Sequence, residues 1–317
     1  MLKKKTKKSP GWPILINQFL EHLQIERGCS VLTVRNYRHY LERFYRFIQR
    51  EKPQMRVSQL DLAIVRRFRL FLAEYVDRHG LPLKRVTQAY HVIALRSFLR
   101  WLVKNDIKTL APEKIDVPKG ESQSLKFLSI EQVGRLLSQP TLSSLSGLRD
   151  KAILETLFST GLRVSELVGL NRDRLNFKTK EVGVIGKGGR ARVVFLSKWA
   201  IKWLQRYLQT REDNWRPVFI RYSGKVLEAS QGEKMRLTSR SVQRIVEKYV
   251  KQARLPVKIT PHGLRHSFAT DLLESGANLR EIQEMLGHKN IATTQIYTHV
   301  TNRQLRKVHE EFHSGNQ

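Results

Sequence analysis

Residues 260–297 read TPHGLRHSFATDLLESGANLREIQEMLGHKNIATTQIY. Leu264, Phe268, Leu272, Leu273, Ile282, Met285 and Leu286 provide the apolar residues that bury one side of two helices. A helix opening at Thr260 places His262 and Arg265 on one face of its first turn, where the unpaired backbone N–H groups also favour an anion. A phosphate fits there. Gly287 is the expected helix stop before His288, and the doublet Thr293-Thr294 opens a short segment holding Tyr297, the candidate nucleophile. His262 and His266 also stand four residues apart, as a metal pair would, but the metalloprotease pattern needs Glu after the first His and Gly263 occupies that place.

Working outward, Ser239 to Ala253 is predicted helical, Pro217 to Leu227 irregular and strand-like, and a helix follows Ser197 to about Gln209. Before these, EVGVIGKGGRARVVFL sets two β-rich runs around Gly186-Lys187-Gly188-Gly189, a hairpin pattern with Lys187 at its tip. In LRVSELVGL, Arg163 and Glu166 share a helical face, so the acid is placed to steer the guanidinium; Gly161 ends the preceding helix, Leu148 to Ser159. Ser129-x-x-Gln132 is a capping-box pattern opening a short helix to Leu137.

Residues 106–126 contain Pro112, Pro118 and Gly120 without a sustained period and read as a linker, or as a loop packed on one domain. Residues 12–105 repeat the helical pattern four times: about Pro13 to Arg27, a second helix after Ser30, a third from Ser58 to Gly80, and a fourth from about Lys84 to Lys104. Their outer faces carry Arg35, Arg38, Arg43, Arg46, Arg66, Arg67, Arg69, Arg85, Arg96 and Arg100. Acidic partners are sparse, so this face is expected to grip phosphates, giving affinity without base choice.

Charge supports that reading. The 317-residue chain has a net charge of +30, with 25 basic against 10 acidic residues in 1–120 and 33 against 18 in the remainder. The excess is spread over both halves, which points to a polyanionic partner. A membrane is disfavoured, because nothing approaches the roughly 18 consecutive apolar residues of a spanning helix. Cys29 is the single cysteine, which excludes an internal disulfide and a thiolate zinc site and fits a reducing cytoplasm. The opening MLKKKTKKSP lacks a following apolar run and reads as a basic arm, residues 1–11, rather than a signal peptide.

In chain order, Arg163, Lys187, His262-x-x-Arg265, Leu286-Gly287-His288 and Tyr297 resemble the tyrosine recombinase (phage integrase) family. TGLRVSEL, HGLRHSFAT, MLGHKNIATTQIYTH and the amino-terminal FLEHLQIERGCSVLTVRNY resemble its Xer-type members. The resemblance implies a mainly α fold: an amino-terminal four-helix core-binding (SAM-like) domain, residues 12–105, and a mainly helical catalytic domain with a small antiparallel β-sheet, residues 127–317. It implies DNA cleavage and rejoining through a 3′-phosphotyrosyl bond, with double-stranded DNA as partner, no metal and no ATP or other cofactor.

By the same resemblance, Tyr297 attacks, Arg163 and Arg265 hold the phosphate, and Lys187 is general acid to the leaving 5′ oxygen. His262 is the acid/base partner of the tyrosine, His288 a further phosphate donor and Glu166 the supporting acid. The residue types suit metal-free phosphoryl transfer, which needs a nucleophile, cations on the phosphorane and a proton for the leaving group. Type IB topoisomerase-like relaxation shares this chemistry, and a DNA-binding regulator on an inactive scaffold is the alternative from another class. Asn302 to Phe312 reads as a last helix whose apolar edge, Leu305, Val308 and Phe312, needs a receptor. Its own domain is one; the resemblance implies a neighbouring protomer in a homo- or hetero-tetramer on two DNA sites.

Overall fold

A computed structural model describes residues 11–77, 79–118, 126–186, 191–224 and 230–287. The chain divides into two compact units, 1–123 and 124–317.

The first unit holds α1 (Trp12–Ile25), α2 (Val31–Glu51), α3 (Leu62–Glu74) and α4 (Arg85–Lys104). Apolar residues at three- and four-residue spacing turn Phe19, Leu41, Phe44, Phe68, Leu95 and Phe98 into one core. The helix starts follow local chemistry: Ser30 accepts from the Thr33 N–H at 3.2 Å and Asp61 from the Ile64 N–H at 2.8 Å. Asp61, not Ser58, opens α3, because Ser58 lies in a short 3₁₀ turn, Val57–Gln59. The same helix stops at Glu74 rather than continuing to Gly80. Its next residues form a bridge between Val76 and Pro82, closed by the Asp77 carboxylate accepting from the His79 and Leu81 N–H groups. Residues 107–115 pack back on this unit: Ile107 and Leu110 lie against its core, Ile115 is buried within it, and Thr109 donates to the Val57 carbonyl at 3.3 Å.

The second unit runs α5 (Ile130–Leu137), α6 (Leu145–Thr160), α7 (Val164–Val168), β1 (Leu175–Asn176), β2 (Glu181–Ile185), β3 (Ala191–Phe195), α8 (Lys198–Gln209), α9 (Ser239–Gln252), α10 (Pro261–Glu274) and α11 (Leu279–Leu286). The strands form one antiparallel sheet in the order β1-β2-β3, with Val182 opposite Val194 and Val184 opposite Arg192. The β2–β3 pair is the expected hairpin. Pro217 to Leu227 contributes no named strand among its described residues, only the bridges Asn171 to Pro217 and Ile220 to Arg236.

At the centre stands α6, whose Ala152, Ile153, Leu154 and Leu157 are fully buried, with α8 and α10 against it. The capping box at Ser129 and Gln132 forms as the sequence predicts. Leu264, Leu273, Ile282 and Leu286 are buried as predicted, while Phe268 and Leu272 are half-buried and Met285 is exposed. No helix among the described residues is long and apolar enough to cross a membrane.

Candidate active site

Five segments of the second unit meet at one point: the end of α6, the start of α7, β3, the first two turns of α10 and the end of α11. Thr260 caps α10, Pro261 presets its first turn, and Gly263 sits where a Cβ would be tight, 3.2 Å from the Lys126 carbonyl. This start fixes the direction in which His262 and Arg265 leave the helix.

Arg265 is only 2% exposed. A buried guanidinium must be hydrogen-bonded, and Arg265 bridges two helix ends: Nη1 donates to the Gly161 carbonyl at 2.8 Å and Nη2 to the Leu286 carbonyl at 2.6 Å. Both acceptors lie at helix C-termini, where carbonyls lack intrahelical partners and the dipole favours a cation. Gly161 and Gly287 end these helices in the left-handed region, at φ 58° and 64°.

Arg163 caps α7. Its backbone N–H donates to Glu166 Oε2 at 2.8 Å, its Nη1 to Glu166 Oε1 at 2.9 Å and its Nη2 to the Gly287 carbonyl at 3.4 Å. Thus Arg163 and Arg265 reach consecutive carbonyls of one turn, the turn that leads directly into His288.

Arg192, which none of the sequence motifs marks, makes the firmest contact with Glu166. Nη1 and Nη2 of Arg192 donate to the two carboxylate oxygens at 2.8 and 2.9 Å, a bidentate pair. Burial pushes the Glu166 pKa up, but the hydrogen bonds from Arg192 and Arg163 outweigh it and hold the carboxyl below its usual range. Glu166 is therefore ionised and shared by two guanidiniums. One signal in the sequence could have exposed Arg192: by strand alternation it shares the inward face with Val194, where a charge needs a partner.

The His262 side chain leaves the first turn of α10, and its ring meets His266 edge-on at 4.3 Å between centroids. Although His262 keeps solvent exposure, partial desolvation of its ring and then the charges of Arg265 and Arg163 lower its pKa from the ordinary 6.5, which favours the neutral imidazole at pH 7. That form accepts a proton. Among the described residues no group of three His, Cys, Asp or Glu side chains could hold a metal, and the neighbouring guanidiniums disfavour a dication at His262. Lys187, His288 and Tyr297 lie outside the described residues. The described chain runs up to them at Gly186 and Gly287.

Residues 126–304 match the Phage integrase family and residues 16–106 the Phage integrase, N-terminal SAM-like domain. The chain is 37% identical over 302 residues to tyrosine recombinase XerC of Pelobacter propionicus, covering 94% of each chain. It is 37% identical over 307 residues to tyrosine recombinase XerD of Listeria monocytogenes, covering 94% of this chain and 98% of that one. In fold it is similar to the XerH site-specific recombinase bound to a palindromic difH substrate in a post-cleavage complex, with a TM-score of 0.69 at 21% identity over 94% of this chain and 84% of the other.

Proposed function

The chain belongs to the phage integrase family and is a site-specific DNA recombinase of the tyrosine type, and we propose that Tyr297, Arg163, Arg265, Lys187, His262 and His288, supported by Glu166, carry its chemistry. One observation carries this reading furthest: Arg163 and Arg265, 102 positions apart in the sequence, bind consecutive carbonyls at the end of α11 and so form a cationic pair at the turn that precedes His288 in the chain.

The pair suits a nonbridging phosphate oxygen on each guanidinium, with charge stabilised as the phosphorane forms. Tyr297 Oη attacks phosphorus, the P–O5′ bond breaks, and the 3′ end becomes a phosphotyrosyl ester. Neutral His262 takes the phenolic proton, while Lys187 gives a proton to the departing 5′ oxygen. The new ester conserves the phosphodiester bond, so a 5′ hydroxyl from a second duplex reverses the step without ATP. The exposed arginines of the first unit add affinity for the DNA backbone. Two DNA sites and four subunits, identical or paired with a paralogue, complete the exchange, with the segment after Tyr297 received by a neighbouring subunit.

The test is Tyr297→Phe on a nicked DNA that traps the covalent complex. The variant is expected to bind its site at unchanged affinity and form no adduct on a denaturing gel. A surviving adduct removes Tyr297 from the role.

A further inference from the structure

We infer that Arg192 is a positioning residue for strand cleavage: it ties the hairpin that carries Lys187 to the Glu166 carboxylate that orients Arg163. The inference rests on Lys187 being the general acid, as read above.

Among its described residues, the hairpin meets its domain through one face. Val182 and Val184 of β2 and Val194 of β3 face inward and are buried, whereas Ile185, Val193 and Phe195 face outward and are exposed. Toward the tip this inward row runs out of apolar side chains. Arg192, opposite Val184, is the last inward side chain of β3 among the described residues, one register pair below the closing pair of Ile185 and Ala191. Beyond it the inward place on β2 falls to Gly186, which has no side chain. Among the described residues, the tether nearest the tip is therefore an ion pair and not a hydrophobic contact.

That ion pair has a rigid receiver. Glu166 belongs to α7 and also caps it, through the Arg163 N–H, so its carboxylate cannot follow the hairpin. The two parallel bonds from Arg192 set both distance and orientation. Gly287 completes the seat: a Cβ there would come within 3.2 Å of Arg192 Cδ and 3.3 Å of its Nε. Arg192 thus touches, through Glu166 and Gly287, the two places from which Arg163 and His288 depart. A hairpin free to swing would carry Lys187 away from the 5′ oxygen even with the arginine pair intact, and displacement of about 1 Å can cost a hundredfold in rate.

The experiment compares cleavage of ordinary DNA with cleavage of DNA bearing a 5′-bridging sulfur at the scissile position. There the P–S bond breaks and the thiolate departs without a proton. Lys187→Ala, Arg192→Ala and Arg192→Lys are assayed for covalent adduct formation, with thermal unfolding measured alongside. On ordinary DNA Arg192→Ala is expected to be slower by on the order of 10²-fold, and on the sulfur substrate to recover most of that loss, as Lys187→Ala does. The double variant is expected to be no slower than Lys187→Ala alone. Arg192→Lys, which keeps the charge and loses the fork, is expected to lie between the wild type and Arg192→Ala, and supplies the comparison if Arg192→Ala does not fold. If Lys187→Ala recovers on sulfur while the Arg192 variants stay equally slow on both substrates, Arg192 serves only the arginine cluster or the fold, and the inference is overturned. If Lys187→Ala itself does not recover, the assignment of Lys187 fails, and the inference falls with it.

Discussion

Gly161 concentrates several demands in one residue. Its φ of 58° ends α6, its carbonyl receives Arg265 Nη1, and its Cα faces α10 so closely that an added Cβ would lie 2.5 Å from Phe268 Cδ1. A left-handed backbone costs a non-glycine residue about 1 kcal/mol, and overpacking adds roughly 1–3 kcal/mol. Gly161→Ala is therefore expected to destabilise the protein by about 2–4 kcal/mol and to lower DNA cleavage by moving the Arg265 guanidinium. Urea unfolding and adduct assays check the two effects; a midpoint equal to wild type would mean that the turn has room that its contacts deny. Gly161 was legible in the sequence as a helix stop, and Arg163 and Arg265 stood out there as the proposed phosphate ligands. The partner of Glu166 was not. Glu166 had a local match in Arg163, three residues away; strand alternation marks Arg192 as an inward charge but does not say that Glu166, 26 residues away, receives it.

In the first unit, α2 and α4 pack across a buried histidine. His91 Nδ1 donates to the Thr87 carbonyl at 2.8 Å, which leaves Nε2 to accept from Arg43 Nη1 at 3.1 Å, and Arg43 in turn lies 4.3 Å over the Tyr75 ring. Burial is the main cause that lowers the His91 pKa, to about 4; the Thr87 bond opposes it, and Arg43 and His39 add to it. The unfolded chain, with an ordinary pKa of about 6.5, binds more protons between pH 4 and 6.5, so this contribution is fully present above pH 6.5 and lost as pH falls toward 4. The loss is about 1.5 kcal/mol between pH 6.5 and 5, above the range in which carboxylates titrate. His91→Gln keeps a donor and an acceptor without the titration, and its urea midpoint is expected to fall less over that interval; equal slopes would mean that His91 is charged in the folded unit. Periodicity located α1, α2 and α4 closely. It mislaid both ends of α3, because Ser58 and Asp61 are equally good cap residues by type, and only the packing of the 3₁₀ turn chose between them.

At the scale of the molecule, the segment Thr298 to Gln317 is the part for which a role in an assembly is proposed. These residues lie outside those the structure describes; in the sequence, Leu305, Val308 and Phe312 are spaced as the apolar edge of a helix, and one so short does not stand alone in water. Ending the chain after Val300 is expected to leave binding to a single site nearly unchanged, to reduce cooperative filling of paired half-sites, and to abolish recombination. Gel-shift titrations on one and two half-sites together with a recombination assay check this; cooperative filling and recombination by the shortened chain would place the segment on its own domain. The sequence by itself determined the helical periodicity of both units, the charge of +30 divided between the halves, and the order of the proposed site residues along the chain. Each of these depends on residue type or on neighbours three or four positions away. Only the tertiary structure decided that residues 107–115 pack on the first unit, that Arg265 spans the ends of α6 and α11, and that Arg192 closes on Glu166. These contacts join residues 21 to 104 positions apart, and the choice among many arginines falls to burial: a desolvated carbonyl or carboxylate takes whichever guanidinium the packed helices bring to it.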